Sequence, residues 1–171
     1  MNREPSAVPR QPGVLLGLLQ FVVGSVVGTG YIPIAPATFA SLTALILIRL
    51  LPKTILLYGL VTIALFVAGG FLAGSMERRW RKDARYITVD ELVGMLVTMF
   101  LVPLSPWSAV LGFLLFRFFD IVKPLFIRAA ERIPDGWGVM ADDVVAGVCA
   151  NVVLQVVFRL VWHAHAPRWS I

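Results

Sequence analysis

Two apolar runs, 54–75 and 143–162, limit what this chain can fold into more than any other feature. A helix that crosses the hydrocarbon core of a bilayer needs about 20 apolar residues at 1.5 Å each, and both runs reach that length. Four further apolar runs, 14–28, 39–51, 91–102 and 107–119, are shorter. The chain is 58% hydrophobic, against about 45–50% for soluble proteins, and its mean hydropathy is +0.84. Together these features predict an all-α fold: an integral membrane helical bundle with four to six embedded helices. Runs 91–102 and 107–119 are too short to span, so their hairpin is expected at half depth or enclosed by the bundle, away from lipid.

Residues 1–13 are polar and proline-bearing and read as a disordered tail. Residues 14–163 read as one membrane-embedded domain and 164–171 as a C-terminal tail. Pro52-Lys53 and Pro103-Leu104-Ser105-Pro106 predict tight turns between antiparallel neighbours. Gly24-xxx-Gly28 and Gly70-xxx-Gly74 predict close helix approach. The run 14–28 also passes for a signal-peptide core with Ala35 and Ala37 as a cleavage mimic; the polar residues after Gly28 argue for its retention. The single cysteine, Cys149, lies in an apolar run with nothing nearby to lower a thiol pKa, so it reads as inert packing. A net charge of +5 suits anionic lipid headgroups better than nucleic acid on a chain this apolar.

If 39–51 pairs with 54–75, and 91–102 with 107–119, then 28–38, 76–91, 120 and 142–143 all emerge on one side. Most of the fifteen Lys and Arg residues lie there too: Arg78, Arg79, Arg81, Lys82, Arg85, Arg117, Lys123, Arg128 and Arg132. The positive-inside bias makes that side cytoplasmic. His163 and His165 fall on the opposite side, as tail residues.

Five of the ten acidic residues mark three helix ends on the basic side. Asp90-Glu91 opens 91–102, Asp120 closes 107–119, and Asp142-Asp143 opens 143–162. Either pair alone is a helix cap before it is chemistry, because acids complement the positive end of a helix. Asp120 does not fit that account, since it meets the negative end; Arg117, on its own helical face, and Lys123 are its candidate partners. Two like charges 4 Å apart repel by about 4 kcal/mol at an effective dielectric of 20. Converging carboxylates therefore call for cations, and oxygen-only ligands favour a hard divalent ion, Mg²⁺ above all. Arg117, Lys123 and Arg128 suit a phosphate, or equally lipid headgroups. The stretch GTGYIPIAPATFAS, 28–41, offers Gly28, Gly30, Thr38 and Ser41 as an anion-cradling loop, with Thr38 or Ser41 as a plain N-cap the simpler reading.

Three segments together resemble one family. GTGYIPIAPATFAS, ITVDELVGM (87–95) and FRFFDIVKPLFIRAAERIPDGWGVMADDVVAG (116–147) are similar to phosphatidylglycerophosphatase A. Its pattern runs G-x-G…APGT-x-GS, D-E-x-x-G-M, F-R-x-x-D-x-x-K-P and G-G-x-G-I-M-x-D-D-x-x-A-G, and the match covers about 28 to 160. The resemblance implies a Mg²⁺-dependent inner-membrane enzyme of phospholipid synthesis. Such an enzyme removes the terminal phosphate of phosphatidylglycerol phosphate in the cytoplasmic leaflet. Carried over by position, its polar set is Thr38, Ser41, Asp90, Glu91, Arg117, Asp120, Lys123, Asp142 and Asp143. Ala37 and Ala40 replace usual glycines, and Pro134-Asp135 replaces His-Gly or Pro-Gly; Asp135 reads as a turn residue rather than a metal contact.

The mechanism expected from these residues places one or two Mg²⁺ on Asp90, Glu91, Asp142 and Asp143. Asp120 is then a further ligand or the general base, and Arg117 and Lys123 clamp the phosphate. Three rival readings exist. One is an ion-coupled transporter, but these acids cluster at an interface rather than at the bilayer midplane. Another is a CDP-alcohol phosphotransferase, whose pattern fails at Val139-Met140. The last is a non-catalytic scaffold whose acids only cap helices.

Overall fold

The computed structural model describes residues 13–51, 54–80 and 86–161. The expected tails, the Pro52-Lys53 turn, Arg81, Lys82, Arg85, His163 and His165 lie outside the described residues. Within them the fold is helical, without strands: α1 (Val14–Leu19), α2 (Pro36–Leu50), α3 (Ile55–Trp80), α4 (Val89–Thr98), α5 (Pro106–Val122), α6 (Leu125–Ala130) and α7 (Trp137–Val161).

The shortest of the apolar runs forms the centre. α4 is ten residues, about 15 Å long, and all of it except Val97 is buried. α2, α3, α5 and α7 surround it, and α7 makes the most extensive contact. The hairpin expected at half depth or within the bundle is thus enclosed, at least in its first arm. Its second arm is longer than the apolar run suggested. α5 starts at a reciprocal Ser105–Ser108 cap with Pro106 in the first turn and continues to Val122, where Lys123 turns left-handed at φ 43°. Seventeen residues make about 25 Å of helix.

A helix that ends inside an apolar bundle leaves carbonyls that no water can satisfy. Tyr58 on α3 donates to the Leu96 carbonyl at 2.8 Å. Asn151 on α7 donates to the Thr98 and Phe100 carbonyls, each at 2.8 Å. Leu101, left-handed at φ 60°, then reverses the chain.

Glycines govern how closely α7 approaches. A Cβ on Gly147 would lie 2.5 Å from the Gly94 carbonyl oxygen, and one on Gly94 would lie 2.9 Å from the Asp143 carbonyl. The two backbones therefore touch, as small-residue crossings allow. The expected Gly70-xxx-Gly74 approach is also present: Gly70 faces the Trp137 ring, and Gly74 faces the Asp135 carbonyl. Gly24 packs against Met76 of α3, but Gly28 serves a different purpose, holding a left-handed turn at φ 85°.

The run 14–28 is not one helix. α1 passes into a π-helical turn at Gln20–Gly24, and Val26, Val27 and Gly28 reverse the chain into a short 3-10 turn, Thr29–Tyr31. This segment docks on the start of α4: Thr88 donates its amide to the Gly24 carbonyl at 3.0 Å, and the Thr29 and Thr88 hydroxyls pair at 3.0 Å.

Each outer helix carries an exposed apolar stripe at spacings of three and four, such as Leu60, Ile63, Val67 and Phe71 on α3, or Trp107, Val110, Leu114, Phe118 and Ile121 on α5. α3 and α7 are long and apolar enough to cross a membrane, and only 22% and 28% of their most apolar windows are buried. The core helix of a soluble protein would be mostly buried.

Candidate active site

Two helix starts deliver the acids in different ways. Thr88 occupies the N-cap of α4, so Asp90 and Glu91 lie in its first turn, where carboxylates complement the helix dipole. Asp142 and Asp143 do not begin α7. The helix starts at Trp137, six residues earlier than the apolar run suggested, which places the two acids in its second turn. Capping does not account for them. Nor does it account for Thr38 or Ser41: α2 begins at Pro36 after a left-handed Ala35, and the Ser41 hydroxyl donates back to the Ala37 carbonyl at 3.0 Å.

Asp90, Glu91, Asp142 and Asp143 are all buried, and Asp120 is half-buried in the last turn of α5. Arg117 Nη1 lies 2.7 Å from each Glu91 oxygen and 2.9 Å from Asp120 Oδ2. The Arg117–Asp120 pairing read from the sequence is therefore present, with Glu91 added to it. Lys123 binds Asp142 instead of Asp120, and Asp142 Oδ1 also accepts the Asp143 amide at 3.0 Å. Asp90 Oδ1 accepts the Glu91 amide at 2.9 Å. Ser41 Oγ lies 3.5 Å from Glu91 Oε2, at the limit of a hydrogen bond.

Among the described residues five carboxylates thus face two cations, so full ionisation leaves three negative charges uncompensated there. Burial, aided by Asp120 and opposed by Arg117, pushes the Glu91 carboxyl up to about 6. Burial and the neighbouring Glu91 push Asp90 well above the ordinary carboxylate range. Asp143 Oδ2 is buried with no hydrogen-bond partner among the described residues. Oxygens of Glu91, Asp120 and Asp143 lie within 4.8 Å of one another. Opposite oxygens around one Mg²⁺ or Ca²⁺ lie about 4 to 5 Å apart, so this set fits a single hard cation, and the orphaned oxygen of Asp143 is the kind of donor such an ion satisfies.

The convergent triad therefore draws one member from each of three helices, α4, α5 and α7. Of the four acids expected as metal ligands, Glu91 and Asp143 are in it, Asp142 is turned to Lys123, and Asp90 is bonded within its own helix turn. Among the anion-loop candidates, the Gly28 and Gly30 amides donate to the Phe21 and Ser25 carbonyls. Gly30 is packed so tightly that a Cβ would lie 2.3 Å from the Tyr86 carbonyl oxygen. Thr38 lies in the first turn of α2, half-buried. Arg128 is exposed on α6 and enters no ion pair among the described residues. Asp135 takes a left-handed turn at φ 60° and faces Arg78 at 3.9 Å, consistent with a turn residue.

Sequence reasoning missed the residues at the α4–α7 contact: Gly94 and Gly147, and the Asn151 cap. The signal was present, in a glycine three residues after Glu91 and another four residues after Asp143.

The family model described as phosphatidylglycerophosphatase A matches residues 22–158. Proteins named phosphatidylglycerophosphatase A from Haemophilus influenzae and Escherichia coli are each 36% identical to this chain. The first aligns over 74% of this chain and 81% of its own length, the second over 74% and 76%. A Bacteroides thetaiotaomicron protein, provisionally named a phosphatidylinositol-3-phosphatase, is 40% identical over 81% of this chain and 92% of its own length. No solved structure matches the chain.

Proposed function

The chain belongs to the phosphatidylglycerophosphatase A family and is a phosphatase, and from that premise we propose that it hydrolyses phosphatidylglycerol phosphate to phosphatidylglycerol and phosphate. The observation that carries this reading is the convergence of Glu91, Asp120 and Asp143, the last with an unpaired buried oxygen, with Arg117 and Lys123 paired to the same acidic cluster. Those three acids would hold a divalent cation, Mg²⁺ first. When bound, such an ion offsets the excess negative charge and polarises a phosphoryl oxygen.

The chain's own groups divide the remaining work. Arg117 orients Glu91 and Asp120 through Nη1 and keeps its other guanidinium donors for phosphoryl oxygens. Lys123, whose side chain is partly exposed, leaves Asp142 for the incoming phosphate monoester. Asp142 Oδ2 is then free to accept a proton from the water that attacks phosphorus. The P–O bond to the glycerol oxygen breaks as the new P–O bond forms, and that proton passes to the leaving alkoxide.

The apolar stripes and the two long helices support an integral membrane protein with its acyl-chain substrate in the surrounding leaflet. Arg78, Lys123, Arg128 and Arg132 at the site's end support a cytoplasmic orientation in the inner membrane. The Bacteroides relative favours a second reading, a monoester on another phospholipid headgroup. Phosphate release by purified protein from phosphatidylglycerol phosphate and from phosphatidylinositol 3-phosphate, with and without Mg²⁺, separates the two. Faster release from the inositol lipid overturns the first reading, and no release from either overturns both.

A further inference from the structure

Between α4 and α7 runs a seam of three layers. On α4 it comprises Glu91, Gly94 and Thr98; on α7 it comprises Asp143, Gly147 and Asn151, at the three- and four-residue steps of one helix face. The first layer is a pair of carboxylates with oxygens inside the convergent triad. The second is the backbone contact of Gly94 with Gly147. In the third, the Asn151 amide donates to both the Thr98 and the Phe100 carbonyls. Gln155 Nε2 donates to Asn151 Oδ1 at 2.9 Å, which directs the Asn151 NH₂ toward those carbonyls.

The layers oppose one another. Like charges in the first drive the helix ends apart, and two facing glycines resist neither sliding nor rocking, because they have no side chains to interlock. Only the third layer is directional. A ten-residue helix is rigid, so displacement at Thr98 is transmitted to Glu91 about 10 Å away.

We propose that Asn151 is a positioning residue for the carboxylate site: its bifurcated bond to the end of α4 sets the register of α4 on α7, and so the spacing of Glu91 from Asp143. This rests on the reading that these carboxylates hold a divalent cation. Asn151 touches neither substrate nor carboxylates, and it acts only through α4.

The test is Mn²⁺ binding to the full-length protein in detergent without lipid substrate, read from the free-Mn²⁺ electron paramagnetic resonance signal. Thermal unfolding of the metal-free protein is followed in parallel. Asn151→Leu is expected to weaken Mn²⁺ binding about tenfold, the lower end of what loss of a supporting hydrogen bond does to a metal site, while turnover at saturating cation is largely retained. Gln155→Leu frees the Asn151 amide to rotate without removing it, and is expected to weaken binding in the same direction by less. It serves as the readout should Asn151→Leu fail to fold. A carbonyl cap with no role in positioning would lower the unfolding temperature and leave Mn²⁺ affinity unchanged, which overturns the inference. Absence of Mn²⁺ binding by the unsubstituted protein overturns both the cation reading and this one; binding that neither variant alters overturns this one alone.

Discussion

The two ends of α4 are built to opposite rules. At its C-terminal end the carbonyls of Leu96, Thr98 and Phe100 all receive side-chain donors, from Tyr58 and Asn151. At its N-terminal end, among the described residues, carboxylates outnumber the cations beside them and one buried oxygen has no partner. A scaffold minimises its free energy by satisfying every buried polar group. A site that binds a charged ligand leaves a deficit for the ligand to fill. The difference separates the half of this helix whose polar groups are satisfied from the half that carries the candidate site, although both are buried.

The sharpest way to break that comparison is Asp143→Asn. If the unpaired carboxylate awaits a cation, its loss should lower Mg²⁺-dependent phosphate release at least about a thousandfold, equivalent to about 4 kcal/mol of transition-state stabilisation. The same change should raise the unfolding temperature of the metal-free protein, because it removes an uncompensated charge. A fall in both would make Asp143 structural. Arg117→Met should come next. Stripping the partner from Glu91 and Asp120 should destabilise the metal-free protein by about 3–5 kcal/mol, measured by thermal unfolding, and abolish turnover. A stable, active variant would remove Arg117 from the site.

Gly147→Ala places a methyl group against the Gly94 carbonyl. A cost of about 1–3 kcal/mol is expected from overpacking, with a weaker apparent affinity for Mg²⁺ in the phosphatase assay. An unchanged affinity would show that the crossing does not set the carboxylate spacing.

pH gives a comparable test. The folded state holds the Glu91 proton up to about pH 6, against an ordinary value of 4.5, so between those values it binds more protons than the unfolded chain. Metal-free stability should therefore fall by about 2 kcal/mol as pH rises through that window, with Asp90 acting in the same direction. Saturating Mg²⁺, which binds the ionised forms, should abolish the decline; a decline unaffected by Mg²⁺ would separate Glu91 from any cation. The smallest effect belongs to Arg128→Ala. An exposed arginine outside the ion-pair network should change turnover by less than about twofold, and a large loss would extend the phosphate site onto α6.

Much of this architecture could be read from the residues. The lengths of 54–75 and 143–162 identified the two long helices, the prolines at 103 and 106 marked the α4–α5 turn, and the spacing of Arg117 and Asp120 gave their pairing. Helix bounds were less legible, because apolar runs mark burial and helices do not stop where polarity begins. α3 continues through Glu77 and Arg78, α5 through Asp120, and α7 starts at Trp137. The run 14–28 has the composition of a helix, but the left-handed turn at Val26–Gly28 breaks it, and no local signal beyond Gly28 announces that.

The sequence by itself determined that helices would form, that three of them would carry acids, and that those acids would need positive charge nearby. It presented Asp90-Glu91 and Asp142-Asp143 as pairs. Only the tertiary structure separated them, because successive residues on a helix point about 100° apart, so one member of each pair can face the helix crossing while its neighbour turns aside. Which member does so depends on the rotation of α7 against α4. That rotation is decided by contacts between residues far apart in sequence, among them Gly94 with Gly147 and Asn151 with the Thr98 and Phe100 carbonyls, and in it Glu91 and Asp143 meet Asp120.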